Sequence, residues 1–272
     1  MPESSGQPDL AEVGRGFSAK ADEYDALAVT HPVVRWMRGR IRALVENELS
    51  PPGSILEINA GSGLDALYFA AKGYRVHATD IAPGMLAALA AKVASPEAGD
   101  RLSYEALSFA ELGSVSGGPY DLVFSDLGGL NCTEDLERVA SGLRSVLRPG
   151  GAIVWVIMPP VCPWELAQLL RGHRDTALRR LRRGGVIANV EGARVPVWYH
   201  SPGRVRRALG RDFRITRLRS FCLFCPPSFF HGFSQRHPGL TRTLMRLDDL
   251  IGGLPPFNRC GDFYALVACY DG

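Results

Sequence analysis

Lysine is scarce in this 272-residue chain, where arginine supplies 28 of the 31 basic residues. No run approaches the roughly 18 apolar residues that a membrane-spanning helix needs, which excludes such a helix. The opening segment MPESSGQPDLAEVG is polar and acidic and lacks an apolar signal core, so no export and a cytoplasmic location are expected. The six cysteines (Cys132, Cys162, Cys222, Cys225, Cys260, Cys269) are scattered, which argues against a disulfide framework and for reduced thiols. Cys222 and Cys225 form a lone CxxC without the second ligand pair that zinc requires, so buried thiols and no metal are expected. Internal repeats and low-complexity segments are also absent. With 46% hydrophobic residues the chain is too apolar to be mainly disordered, and its length suits one large α/β domain with insertions.

The net charge of +3 conceals an uneven distribution. Residues 1–170 carry 13 basic and 21 acidic side chains, whereas residues 171–219 carry 14 arginines and three acids. Residues 220–272 carry four of each. A nucleic-acid patch, a site for an acidic substrate and solvated helix faces are all compatible with such a segment.

The first 15 residues read as a disordered tail. From Gly16 to Glu48 the pattern is helical, with Val33, Val34, Met37, Ile41, Leu44 and Val45 on one face. Pro51, Pro52 and Gly53 stop it. Strand and helix then alternate: SILEIN, LDALYFAAKG, RVHATDI, PGMLAALAAKVA, LSYEAL, YDLVFSD, EDLERVASGLRSVL and, after RPGG, AIVWVIM. This alternation implies a doubly wound parallel sheet. Beyond it the spacing predicts a helix over Pro163 to Arg183, an extended pair in GVIANVEGARVPVWYHS and a short helix in PGRVRRALG. Two further strands follow, FRITRLRSFCLF (with the CxxC inside it) and GDFYALVACY. A Phe-, Pro- and His-rich stretch from Pro226 to Arg259, containing the helix LTRTLMRLDDLIGG, separates them.

The strongest chemical signal is ILEINAGSGLDAL followed by RVHATDIAPGML. A strand ending in an acid, a tight small-residue turn and a helix start bring backbone N–H groups close to a ligand. Asp80 closes the next strand 17 residues after Gly63, placed to take ribose hydroxyls. A dehydrogenase pairs glycines with a ribose acid too, but its GxGxxG glycine spacing is not met by Gly61, Gly63 and the Leu64, Asp65 and Ala66 that follow.

From Phe17 to Met158 the sequence resembles the class I S-adenosylmethionine-dependent methyltransferases, particularly the small-molecule, ubiquinone-type group. The resemblance implies a seven-stranded, mostly parallel Rossmann-like sheet with GDFYALVACY as its reversed last strand, an N-terminal helical segment and C-terminal cap insertions. It divides the chain into a tail (1–15), a cofactor-binding core with a helical lid (16–158), and the end of the sheet plus an acceptor-binding cap (159–272). It implies S-adenosyl-L-methionine as cofactor. The acid–x–Gly–x–Gly–x–Gly pattern falls on Glu57, Asn59, Gly61 and Gly63, with Ala60 inside the turn. Asn59 stands where most members have glycine, and asparagine tolerates positive φ better than other non-glycine residues. Asp80 matches the ribose acid, Ile81 an apolar neighbour of adenine, and Met85 lies on the helix that follows. Leu107, Ser108 and Phe109 fall near the base, where many members carry an Asp. Ser125 faces the methionine part, and Phe17 and Tyr24 belong to the lid.

The segment SDLGGLNC lacks the Asn/Asp-Pro-Pro-aromatic run of base-directed amino-methyltransferases, which points to a small-molecule acceptor rather than nucleic acid. RNA or DNA methylation using the 171–219 arginines, and a cofactor-binding protein without transfer activity, are the alternatives. Asn131 and Cys132 either line the acceptor site or, for Asn131, cap the helix near Glu134. Candidate catalytic residues are Glu165, behind Trp164 in PPVCPWEL, Tyr199 and His200 in VPVWYHS, and His231 in the aromatic insertion. Positioning alone can also serve transfer to a reactive acceptor. Nothing in the pattern sets an oligomeric state.

Overall fold

Strand β1 (Ser54–Ile58) is buried at every residue, as a central parallel strand covered on both faces must be. In the computed structural model, which describes residues 21–182, 184–190, 193–230 and 232–272, it lies near the middle of a seven-stranded sheet. The order is β3 (Leu102–Ala106), β2 (Arg75–Asp80), β1, β4 (Tyr120–Ser125), β5 (Leu147–Ile157), β9 (Phe263–Tyr270) and β8 (Phe213–Phe221). β1 to β5 pair in parallel, and β9 runs antiparallel between β5 and β8. The expected reversed last strand is thus present. The winding direction changes between β1 and β4, which opens a crevice at the carboxyl ends of these strands.

Alternation along β5 divides the core. Val154 and Val156 join one cluster and Ile153, Trp155 and Ile157 the other. Helix α2 (Pro32–Glu48) covers the first face, and all six residues of its expected apolar stripe are buried. It follows α1 (Ala21–Thr30). On the same side α3 (Leu64–Ala71) contributes Phe69 and Ala70, while Leu89 comes from α4 (Pro83–Val93). The opposite face is covered by α5 (Leu136–Val146) and α8 (Pro202–Leu209). No helix of the described residues is long and apolar enough to cross a membrane.

The second half departs from the sequence pattern in three places. The helix expected over Pro163 to Arg183 is broken into α6 (Pro163–Leu166), a 3-10 turn (Ala167–Arg171), α7 (Arg174–Leu178) and another 3-10 turn (Arg179–Leu181). Gly172 at φ 78° ends the first 3-10 turn, and Glu165 holds the pieces through a buried pair with Arg180 and a half-exposed one with Arg179. The CxxC lies just past β8. Cys222 turns at φ 54°, and Leu223, Phe224 and Cys225 donate their N–H groups to Asp248 at 3.1, 2.8 and 3.1 Å. Burial pushes both thiols up and holds Asp248 at about 6. Finally, Asp135, not Asn131, caps α5, accepting from Arg138 N at 2.9 Å.

The extended pair is a hairpin of β6 (Val186–Val190) and β7 (Ala193–Val197), antiparallel and separate from the main sheet. The aromatic stretch holds α9 (Phe233–Arg236) and α10 (Pro238–Ile251).

Candidate active site

The turn after β1 sits in the crevice. Asn59 adopts φ 48°, the left-handed conformation that asparagine tolerates, and Gly61 and Gly63 follow at 59° and 78°. A Cβ on Gly63 would stand 2.2 Å from Leu89 Cδ1, so the close seat of α4 against this turn also requires glycine. Asp80, at the end of β2, accepts from Gly61 N with one oxygen and from Ile81 N and Ala82 N with the other, all at 2.8 Å. Burial raises its pKa, and these three donors oppose the rise. A carboxylate offers about four acceptor positions, so one remains for a ligand hydroxyl.

Around the turn, Asn59 Oδ1 accepts from Ser125 Oγ at 3.1 Å. Asn59 Nδ2 and Glu57 Oε2 are buried without a hydrogen-bond partner among the described residues. Such atoms are costly unless something pairs with them. Met85 is buried against the turn, its sulfur 3.8 Å from where a Gly61 Cβ would lie. Leu107 N donates to Asp80 O at 3.1 Å, which brings the 107–109 segment beside Asp80. The Ser108 hydroxyl is engaged locally, accepting from Ala110 N at 3.2 Å, and Phe109 packs against the α5 face. Phe17 and the Tyr24 side chain lie outside the described residues, as does His231. Next to Tyr24, Asp25 accepts from Ser62 Oγ of the turn and pairs with Lys92 of α4 at 2.5 Å. Helix α1 is thereby fastened across the turn.

Beneath the turn lies a buried charge cluster that no local sequence pattern marks. Arg38 and Arg42 of α2 both pair with Asp65 in the first turn of α3, Arg42 at 2.7 Å, and Arg38 also stands 3.3 Å from Asp126 after β4. Burial works to raise Asp65, but the two arginines overcome it and keep this carboxyl below its ordinary range. Asp126 is pushed up to about 8 by burial and by Asp65, and Glu57 is raised by burial, Asp65 and Asp126. Three carboxyls share two guanidinium groups, so the cluster retains a proton near neutral pH. Asp65 in the sequence reads only as a favourable charge at a helix start.

Beyond β5, the structure links two of the expected catalytic residues and separates a third. Glu165 is buried and bidentate to Arg179 at 2.7 and 2.6 Å, and it accepts from Arg180 Nε at 2.9 Å. Arg180, itself buried, pairs with Asp262 at 2.6 Å and stands 5.1 Å over the Tyr199 ring. Burial raises Glu165, yet the two arginines win and leave it ionised below its usual range. Cys162 completes a group whose ligand atoms lie within 4.8 Å of Glu165 and Asp262, but Arg180 supplies the positive charge there. His200 points elsewhere, with Nε2 2.8 Å from Thr133 O, and burial lowers its pKa. The carbonyl partner assigns the proton to Nε2.

Asn131 is fully buried. It accepts from Met158 N at 2.8 Å and donates to Met158 O at 3.1 Å and Trp198 O at 2.6 Å. One amide therefore clamps the end of β5, the loop after β4 and the segment leading to Tyr199. Trp164 packs edge-on to Phe230 at 5.3 Å between centroids, and its buried Nε1 has no partner among the described residues.

With this geometry in place, residues 55–151 match the family model described as a methyltransferase domain. This segment is similar to methyltransferase domains, and the chain shares the fold of S-adenosylmethionine-dependent methyltransferases of known structure. A demethylmenaquinone methyltransferase of Mycolicibacterium vanbaalenii is 32% identical over 163 residues, which is 57% of this chain. The match spans 63% of that relative's length. Among solved structures, the CcbJ methyltransferase from Streptomyces caelestis aligns with a TM-score of 0.62 at 17% identity, covering 97% of this chain and 100% of that one. The Burkholderia thailandensis 1,6-didemethyltoxoflavin-N1-methyltransferase, solved with 1,6-didemethyltoxoflavin and S-adenosylhomocysteine, aligns at 0.57 and 17% identity, covering 100% and 93%. At such identities the structural matches show a shared Rossmann-like methyltransferase fold. The matched domain thus spans β1 to the start of β5, and residues 159–260 lie beyond it.

Proposed function

We propose that this chain transfers a methyl group from S-adenosylmethionine to a small-molecule acceptor held between the carboxyl edge of the sheet and the 159–260 insertions. The observation that carries the reading is the turn itself. It offers one open acceptor position on Asp80 for a ribose hydroxyl, an unpaired buried donor on Asn59 and an unpaired buried acceptor on Glu57. An amino-acid zwitterion brings a complement to each of the last two, so the residues present fit the cofactor. When bound, the cofactor supplies an electrophilic methyl group on a sulfonium. Titration of the protein with S-adenosylmethionine and S-adenosylhomocysteine in a calorimeter tests this, and absence of binding by folded protein refutes it.

For the acceptor, the aromatic walls favour a flat ring. Trp164, Phe230 and Tyr199 supply apolar faces, and the free Trp164 Nε1 offers a donor to a ring oxygen or nitrogen. The names of the Mycolicibacterium relative and the Burkholderia neighbour denote a quinone-type and a heteroaromatic acceptor, which agrees with this reading. Tyr199, its pKa raised by burial, stays protonated and orients the acceptor. Glu165 and His200 hold the wall, since each is already committed to a protein partner. Methyl transfer here rests on positioning. Formation of S-adenosylhomocysteine with a panel of quinols and N-heteroaromatics tests the acceptor class. The nucleic-acid alternative loses support because Arg179, Arg180, Arg204 and Arg219 of the arginine-rich segment are engaged in ion pairs.

A further inference from the structure

Between β5 and β6 the chain forms a helical knuckle, residues 163–181, with two unlike sides. Its inner side is pinned to the sheet edge. Arg179 and Arg180 hold Glu165, and Arg180 also donates to Asp262 O at 2.9 Å. The pinned inner face leaves the knuckle's leucines outside. Leu170 is 91% exposed, Leu181 50%, Leu169 43% and Leu178 41%. Isolated exposed leucines are ordinary, but four within one short segment are not.

The charges on this side are basic. Arg171 and Arg174 are exposed and have no acidic partner among the described residues, and Arg182 pairs only with the exposed Asp175. Arg179 and Arg180, by contrast, are consumed by the inner network. Two exposed cations thus remain unpaired within the segment that carries the exposed leucines.

We propose that this knuckle seats the protein on an anionic lipid bilayer, with the leucines among the acyl chains and Arg171, Arg174 and Arg182 at the headgroup level. Interleaved leucine and arginine suit that boundary, where apolar burial and attraction to anionic lipid add. A polyanion such as RNA would satisfy the arginines and leave the leucines in water. A two-fold contact with a second copy would set the same arginines against one another. The docking is peripheral, consistent with the absence of a spanning helix among the described residues. It would also bring the Trp164 and Tyr199 wall close to lipid, a consequence that rests on the acceptor reading above, whereas the docking does not.

The test is flotation of the full chain with vesicles of phosphatidylcholine alone or mixed with phosphatidylglycerol, at low and high salt. Binding to the mixed vesicles is expected, weakened by salt and weaker still without the anionic lipid. The pairs Leu170→Ser with Leu181→Ser and Arg171→Glu with Arg174→Glu should each lower it about tenfold or more. Circular dichroism and calorimetric cofactor binding should stay at wild-type values in both. No flotation of the wild-type protein, or flotation unchanged in the variants, overturns the proposal. So does a dimer in sedimentation velocity that the leucine variants dissolve while flotation is lacking. Flotation without cofactor binding in the wild type would uphold the docking and refute the methyltransferase reading alone.

Discussion

Asn59 occupies a left-handed turn position, and its amide does work that a glycine there would leave undone. It holds Ser125 and lies so close to the next loop that a Cβ on Gly129 would stand 2.0 Å from Nδ2. Gly129→Ala should therefore lower stability by about 1–3 kcal/mol in urea unfolding. Adding Asn59→Gly should recover part of that loss, and strict additivity in the double-mutant cycle would contradict the contact. Asp80 presents a separate expectation. Removing its carboxylate deletes a charge-assisted bond of about 1.5–3 kcal/mol to a ligand hydroxyl. Asp80→Ala should then weaken S-adenosylmethionine binding by about tenfold to a hundredfold in calorimetry. Unchanged affinity would remove Asp80 from the ribose site.

Between elements, the buried charges act as fasteners. Arg38 and Arg42 join α2 to α3, and through Asp126 the cluster reaches the end of β4. Asp126 is held at about 8, far above the value of about 4 it has in an unfolded chain. The folded state therefore binds a proton that the unfolded state releases. This contribution favours the folded state at mildly acidic pH and fades as pH rises through about 8. The melting temperature should fall as pH rises from about 5 to about 8 and level off above that, and Asp126→Asn should flatten the fall. A wild-type slope retained in the variant would place the proton elsewhere. Asp65 has the opposite sign: its lowered pKa stabilises the fold above the ordinary carboxylate range and is lost in acid. At the knuckle, Arg180→Met would strand Glu165 and Asp262 as buried carboxylates, one still facing Arg179. A loss of about 3–5 kcal/mol is expected by chemical denaturation. A near-neutral result would mean that water reaches the pair.

Across the whole molecule, the charge asymmetry resolves into pairing across distance in the chain. Arg179 and Arg180 meet Glu165, Arg204 meets Glu137 at 2.6 Å, and Arg144 of the acidic half meets Asp212 at 2.7 Å. The exposed pairs among these contribute little each. Arg171 and Arg174 are among the exposed arginines that these pairs leave without an acid. The vesicle experiment thus tests a property that the total of +3 conceals.

The sequence by itself determined the parts governed by local periodicity and by short-range backbone geometry. The apolar stripe of α2 and the five parallel strands follow from spacing within a few residues, whereas the reversed β9 and the left-handed turn at Asn59 follow from the family resemblance. Tertiary structure alone decided what depends on partners far away in the chain. Helical spacing over 163–183 yielded to Gly172 and to ion pairs with Asp262, some eighty residues downstream. Asn131, a plausible helix cap by position, spends its amide on Met158 and Trp198 instead. The Arg38–Asp65–Asp126 cluster has no periodic signature either, because a buried charge chooses whichever opposite charge the fold brings within reach. Propensity acts over a turn of helix, whereas desolvation acts over whatever surrounds the group, and only the folded chain sets that environment.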